Sequence, residues 1–200
     1  MKFEGRLRPF ITHRSSLIIF IMRWIWIDRF VEFESGKRAV ALKNVSLAEE
    51  HLHDHFPGRP VMPNSLITEG IAQTGGLLVG EYHAFAKKVV LAKIPKAVFH
   101  FPVVPGDTLR YEAVADYITE DGAMVTATAK VGDRVQAEME VVFAHLADAE
   151  NAQSLFDPKN FVFTMKLLGV FEVGRKPDGS RLTAPPGLLK LEQELKAVGN

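Results

Sequence analysis

Asn64-Ser65-Leu66-Ile67-Thr68-Glu69-Gly70-Ile71-Ala72-Gln73-Thr74-Gly75-Gly76-Leu77-Leu78-Val79-Gly80 is the stretch on which the architecture turns. Apolar residues recur nearly all the way round a helical wheel: Leu66, Ile67, Ile71, Ala72, Leu77, Leu78, Val79 and, further on, Ala84 and Phe85. A helix on a protein surface carries one apolar stripe, so this pattern predicts a helix buried on most sides. Pro63 stands just before it, and Asn64 or Ser65 can cap it. The helix is expected to run from Asn64 to about Lys87. Gly70, Gly75, Gly76 and Gly80 each weaken it by about 1 kcal/mol against Ala. They also let neighbouring groups approach its backbone closely.

Strand patterns flank the helix on both sides. Trp24 to Phe33 is rich in aromatic and β-branched residues, Ser35-Gly36-Lys37 is a turn, and Arg38 to Val45 completes a hairpin. After the helix come Val89–Ile94 and Ala97–Val103, separated by Pro95-Lys96, then a turn at Pro105-Gly106-Asp107. Thr108–Thr119, Ala123–Val131 and Arg134–His145 alternate, with turns at Glu120-Asp121-Gly122 and Gly132-Asp133. Two strands, one buried helix and an antiparallel meander make an α+β fold, with a sheet wrapped round a central helix.

The chain has 200 residues, which suits one domain with extensions. Residues 1–22 are expected to be an N-terminal extension, 23–146 the domain, and 147–200 a C-terminal extension. In that last part Phe161–Leu168 is a short apolar element, Lys176–Pro186 a loop and Leu188–Val198 an amphipathic helix. The apolar run Leu17–Met22 follows basic residues, but Arg23 ends it after six residues. That is too short to span a membrane, and no cleavage-site pattern follows. Translation starting at Met22 is an alternative. Twenty-four Lys and Arg balance 24 Asp and Glu, which argues against bulk nucleic-acid binding. There is no cysteine, so disulfides, cysteine-bound metals and cysteine nucleophiles are excluded.

Two groupings carry chemistry. The first is His51-Leu52-His53-Asp54-His55. On a strand, three His at alternate positions would face one way and could hold a metal, with His13, His83, His100 or His145 as outside ligands. The plainer reading is a solvated loop holding one important His, and no metal is expected. The second grouping is His55 with Glu69. His55 precedes a turn stiffened by Pro57, Gly58, Pro60 and Pro63. Glu69 is a carboxyl in an otherwise apolar helix, which is costly unless it has a partner or a task. Burial would make it a general acid near neutral pH, and a His is the natural base there. Gln73 lies one turn on, on the same face. The competing structural reading pairs Glu69 with Arg59 or the helix start.

His55-Phe56-Pro57-Gly58-Arg59-Pro60-Val61-Met62-Pro63, with Leu66 and Glu69-Gly70-Ile71-Ala72-Gln73, closely resembles the signature of the β-hydroxyacyl-[acyl-carrier-protein] dehydratases of type II fatty-acid synthesis. Gly36 to Val45 and Pro102-Val103-Val104-Pro105-Gly106-Asp107 agree, and the resemblance covers about Ile27 to His145. It implies a hot-dog fold. It implies that His55 is the base that removes the α-proton of a thioester. Glu69 of a second subunit would be the acid that protonates the departing β-hydroxyl, giving a trans-2-enoyl thioester and water. The backbone amide of Asn64 would bind the developing enolate, and Gly58 and Gln73 are the other expected substrate-binding residues. The chain departs from the family pattern at Asn64, usually Gly, at Gly70, usually Ala, and at Met22-Arg23-Trp24, where Pro-His-Arg is usual.

The resemblance implies an acyl carrier protein as partner, a homodimer or a trimer of dimers, a cytoplasmic location and no cofactor. Carrier proteins are acidic, so a basic rim is expected, with Lys87, Lys88, Lys93, Lys96 and Arg110 as candidates. The alternatives are a non-catalytic hot-dog acyl-binding protein, or a dehydratase or thioesterase of a specialised lipid or polyketide pathway. The isomerising sister family is disfavoured because it carries Asp at the Glu69 position.

Overall fold

In the computed structural model, residues 25–146, 158–186 and 189–190 are described, the side chains of 158–162 excepted. The expectations for 1–22, for 147–157 and, beyond Leu189 and Lys190, for a helix at Leu188–Val198 lie outside the described residues. The elements are β1 (Arg29–Glu34), β2 (Arg38–Asn44), α1 (His51–Asp54), α2 (Asn64–Tyr82), β3 (Lys88–Phe99), β4 (Thr108–Ile118), β5 (Gly122–Val131) and β6 (Arg134–Leu146). They are followed by α3 (Pro158–Leu167), α4 (Val170–Val173) and β7 (Gly174–Arg175). One sheet holds every strand in the order β3-β6-β5-β4-β2-β1-β7. All pairings are antiparallel except β1 with β7.

The sheet curls round α2. Ile67, Ile71, Leu78 and Val79 of the helix are fully buried against Ala39, Ala41, Leu109, Tyr111, Val125, Met139 and Phe143 of the strands. This is the arrangement the all-round apolar pattern requires. The outer face of β1, β2 and β4 is polar instead, with Arg38 bridging Glu32 and Glu112, and Arg110 also on Glu32.

Four expectations need correction. The helix stops at Tyr82 rather than Lys87. Ala84 and Phe85 take positive φ, and Phe85 N–H closes the helix end on Gly80 O at 2.8 Å. Gly80 allows this, since a Cβ there would meet the Phe85 ring at 3.2 Å. Secondly, the helix start has no side-chain cap; Pro63 occupies that position and its carbonyl takes the N–H groups of Leu66 and Ile67. Thirdly, Pro95 does not split β3. The strand lies at the sheet edge, where a missing N–H costs no ladder bond, and the register merely shifts between Lys93 and Lys96. Fourthly, β1 begins at Arg29; Ile25 to Asp28 precede it as irregular chain.

The C-terminal segment packs on β1. Met165, Leu168, Val170 and Leu182 join the core beside Phe30 and Phe33. Phe30 N–H donates to Leu168 O at 2.8 Å and Ser35 N–H to Arg175 O at 2.9 Å, so this segment covers the β1 edge.

Candidate active site

His55 follows α1, and the Phe56–Arg59 turn follows His55. Phe56 and Arg59 exchange N–H···O bonds of 3.0 and 2.9 Å across Pro57-Gly58. Pro57 suits the first central position of such a turn. Gly58 has φ +73°, which the second central position of a type II turn demands. The chain is then tied down by Val61 N–H on His55 O at 2.8 Å and Met62 N–H on Val103 O at 2.8 Å. His55 Nδ1 lies 2.8 Å from Val61 O. A carbonyl can only accept, so Nδ1 carries the hydrogen and the neutral ring keeps its lone pair on Nε2. That is the form a general base needs.

His55 lines a cavity of about 670 Å³, bounded by Phe56, Arg59, Val61 to Ser65, and the Phe99-His100-Phe101-Pro102 stretch after β3. The first N–H groups of any helix lack partners within it. Pro63 O serves Leu66 and Ile67, which leaves the amides of Asn64 and Ser65 at this cavity, at the positive end of the α2 dipole.

Glu69 stands one turn into α2, half-buried, and is not in the cavity wall of the same chain. Its partner is Gln73 rather than Arg59: Gln73 Nε2 donates to Glu69 Oε1 at 2.8 Å. Gln73 Oε1 accepts the Trp26 N–H at 2.8 Å. Gly58 sits at an exposed turn tip, and neither it nor Gln73 reaches the cavity wall. One chain therefore brings His55 and Asn64 together and places Glu69 with Gln73 elsewhere.

The His-rich run is a helical turn rather than a strand, so His51, His53 and His55 do not share a face. Among the described residues no group of three or more His, Asp or Glu is placed to hold a metal ion. The expected basic rim also differs. Lys87 pairs with Glu120, Lys96 lies 3.7 Å from Glu138, Arg110 pairs with Glu32, and none of the five candidates lines the cavity. Arg59 and His100 do. The sequence alone offers His100 only as a possible metal ligand; its nearness to Pro102-Val103-Val104-Pro105 is the signal that points to this wall.

The sequence matches the FabA-like domain over residues 22–143. The chain belongs to the FabA-like family. Its similar relatives include the 3-hydroxyacyl-[acyl-carrier-protein] dehydratase FabZ of Desulforamulus reducens, 42% identical over 139 residues, covering 69% of this chain and 93% of that one. FabZ of Symbiobacterium thermophilum is 42% identical over 140 residues, covering 70% and 93%. FabZ of Pelotomaculum thermopropionicum is 38% identical over 141 residues, covering 70% and 96%. Among solved structures, a conserved protein of Pseudomonas aeruginosa aligns with TM-score 0.50 and 22% identity over 59% of this chain and 87% of that one. A hypothetical thioesterase with coenzyme A from Streptococcus pneumoniae aligns with TM-score 0.50 and 9% identity over 60% and 86%. These likenesses show the hot-dog fold. Fold and dehydratase family therefore stand as the sequence resemblance implied. Among the described residues no helix is long and apolar enough to cross a membrane.

Proposed function

We propose that this FabA-like protein dehydrates a (3R)-hydroxyacyl thioester on acyl carrier protein to the trans-2-enoyl thioester. The observation that carries this is the His55 ring, fixed by Val61 O with Nε2 as its lone-pair nitrogen, in a cavity also lined by Asn64 and Ser65 at the first turn of α2. The three relatives named above, which bear the dehydratase name, support the same reaction.

In this reading the thioester carbonyl sits at the amides of Asn64 and Ser65. His55 Nε2 removes a proton from C2, and the electron pair moves onto the carbonyl oxygen. Donors aimed at a developing oxyanion are among the strongest contributors to catalysis. The pair then forms the C2–C3 double bond as the C3–O bond breaks. Glu69, as the acid, gives its proton to the departing hydroxyl, and water leaves. The proton taken by His55 returns to the carboxylate, which balances the cycle. No redox step occurs, so acid, base and oxyanion site suffice.

Glu69 does not line the His55 cavity of its own chain, which supports an acid supplied by a second copy. The protein then works as a homodimer, or as a trimer of dimers. Arg59 and His100 at the cavity are suited to the acidic carrier and its phosphopantetheine arm.

Enoyl formation from β-hydroxybutyryl and β-hydroxydecanoyl thioesters tests this. His55→Ala and Glu69→Gln should each lower turnover by about a hundredfold or more. Mixed oligomers of the two inactive variants should regain activity, since one of the two shared sites is then intact. A wild-type oligomer inactive on every chain length would refute the reaction; inactive mixed oligomers would refute the shared site.

A further inference from the structure

The Glu69–Gln73 pair is held from outside the cavity, by the irregular segment that leads into β1. Gln73 has one oxygen and one NH₂, and the direction of its amide is not free. The Trp26 backbone N–H can only donate, so the Gln73 oxygen must face Trp26 and the NH₂ must face Glu69. The place of the Trp26 backbone therefore sets the place of the Glu69 carboxyl.

Trp26 is itself clamped. Asp28 N–H, two residues on, donates to Leu42 O at 2.7 Å. The Lys43 ammonium lies 5.9 Å from the Trp26 ring centre. The His51 ring meets Trp26 edge-on, with centroids 5.1 Å apart and planes at 76°. Lys43 is nearly buried and is held by Glu49 at 2.9 Å, with Asp28 at 3.7 Å. Glu49 also stands 3.9 Å from His51 Nδ1. His51 Nε2 is buried with no hydrogen-bond partner among the described residues. A buried ring nitrogen without a partner costs stability, and the ring contact that His51 makes is the one with Trp26. Burial holds the His51 imidazole below the usual histidine range, with Lys43 and His55 adding to burial and Glu49 opposing it. The neutral ring is the form that the orphaned Nε2 and the neighbouring Lys43 both favour.

We propose that His51 is a positioning residue for the acid: its ring fixes Trp26, Trp26 fixes the Gln73 amide, and Gln73 aims Glu69. His51 does not touch substrate. The inference rests on Glu69 being the proton donor of the proposed dehydration.

The test is steady-state kinetics on the full chain with a β-hydroxyacyl thioester. Misaiming a catalytic group costs turnover rather than binding, so His51→Ala should lower kcat about tenfold with KM unchanged. His51→Phe keeps a flat edge on Trp26 and should recover most of that loss. His51→Ala combined with Gln73→Leu should be no worse than Gln73→Leu alone, because both cut one chain of contacts. Should His51→Ala melt below the assay temperature, His51→Leu takes its place with the same outcomes. Wild-type kcat in the variant, no recovery in His51→Phe, or additive losses with Gln73→Leu would each overturn the inference. Absence of turnover in the wild type would overturn the dehydratase reading itself, which separates the two failures.

Discussion

A Cβ placed on Gly70 would lie 2.5 Å from the Tyr111 ring and 2.7 Å from its hydroxyl. Tyr111 is fully buried on β4, and its hydroxyl has no hydrogen-bond partner among the described residues. Burial, with Asp28 and Glu49 adding to it, drives the phenol far above its usual range. Helix and strand thus fit only because residue 70 has no side chain. Gly70→Ala should cost about 1–3 kcal/mol by overpacking, against the usual gain from Ala in a helix. Tyr111→Phe removes the orphaned hydroxyl and should be neutral or stabilising, by about 1 kcal/mol. Tyr111→Leu should offset much of the Gly70→Ala loss. Urea unfolding of the three variants and the Gly70→Ala/Tyr111→Leu pair checks this, and Gly70→Ala at wild-type stability would contradict it.

The central helix was legible because apolar residues encircle it, and the meander because Glu120-Asp121-Gly122 and Gly132-Asp133 punctuate alternating strands. The helix end was not legible. Ala84 and Phe85 bear the positive φ values that glycine would have announced, and the local Phe85 N–H bond to Gly80 O closes the helix there. Nor was β7, two residues whose strand character comes wholly from pairing with Phe33 and Glu34. At the site, the His55 turn is local and reads from Pro57 and Gly58. The opposite wall, Phe99 to Pro102, and the Trp26–Gln73 bond, 47 residues apart in sequence, exist only once the sheet has closed on the helix.

Glu81 gives a stability that depends on pH. Burial raises its pKa; a Ser35 hydrogen bond and Lys176 oppose that without cancelling it, and Oε2 is buried with no partner among the described residues. The folded protein thus holds this proton more tightly than the unfolded chain, whose carboxyl titrates near about 4.3. The contribution is fully present below that value and is lost as pH rises through the folded pKa. Glu81→Gln should therefore be more stable than wild type at pH 7–8, and the two should converge at acid pH. Unfolding free energies measured across that range decide it, and parallel curves would count against it.

His83 works in the opposite direction. Its ring meets His145 with centroids 4.7 Å apart. Both Nε2 atoms are buried without partners among the described residues, and His145 Nδ1 donates to Glu120 O at 3.0 Å. Burial lowers the His83 pKa, with His145 and Lys87 adding to it and Glu120 and the Thr119 backbone opposing it. A depressed histidine contributes stability that is present above the unfolded value of about 6.5 and is lost as pH falls through the folded pKa. Wild type should lose stability between pH 7 and 5 more steeply than His83→Gln. Equal slopes in thermal melts over that window would refute the assignment.

The segment from Pro158 onward should be integral to the domain, although the family match ends at residue 143. Leu168, nearly fully buried, packs with Phe30 and Phe33, and its carbonyl takes the Phe30 N–H. Gly174 adjoins it in the same covering, where a Cβ would strike Leu182 and Val170 O at 2.5 Å. A chain ended at Leu146 would bare those phenylalanines together with an unpaired strand edge, the usual template for aggregation. That truncation should melt lower and scatter more light than the full chain. Leu168→Ala alone should cost about 2–5 kcal/mol, as deletion of a large buried side chain does. Were the truncated chain as stable and monodisperse as the whole, the C-terminal segment would be an appendage, and the cover it forms over β1 would contribute nothing to the fold.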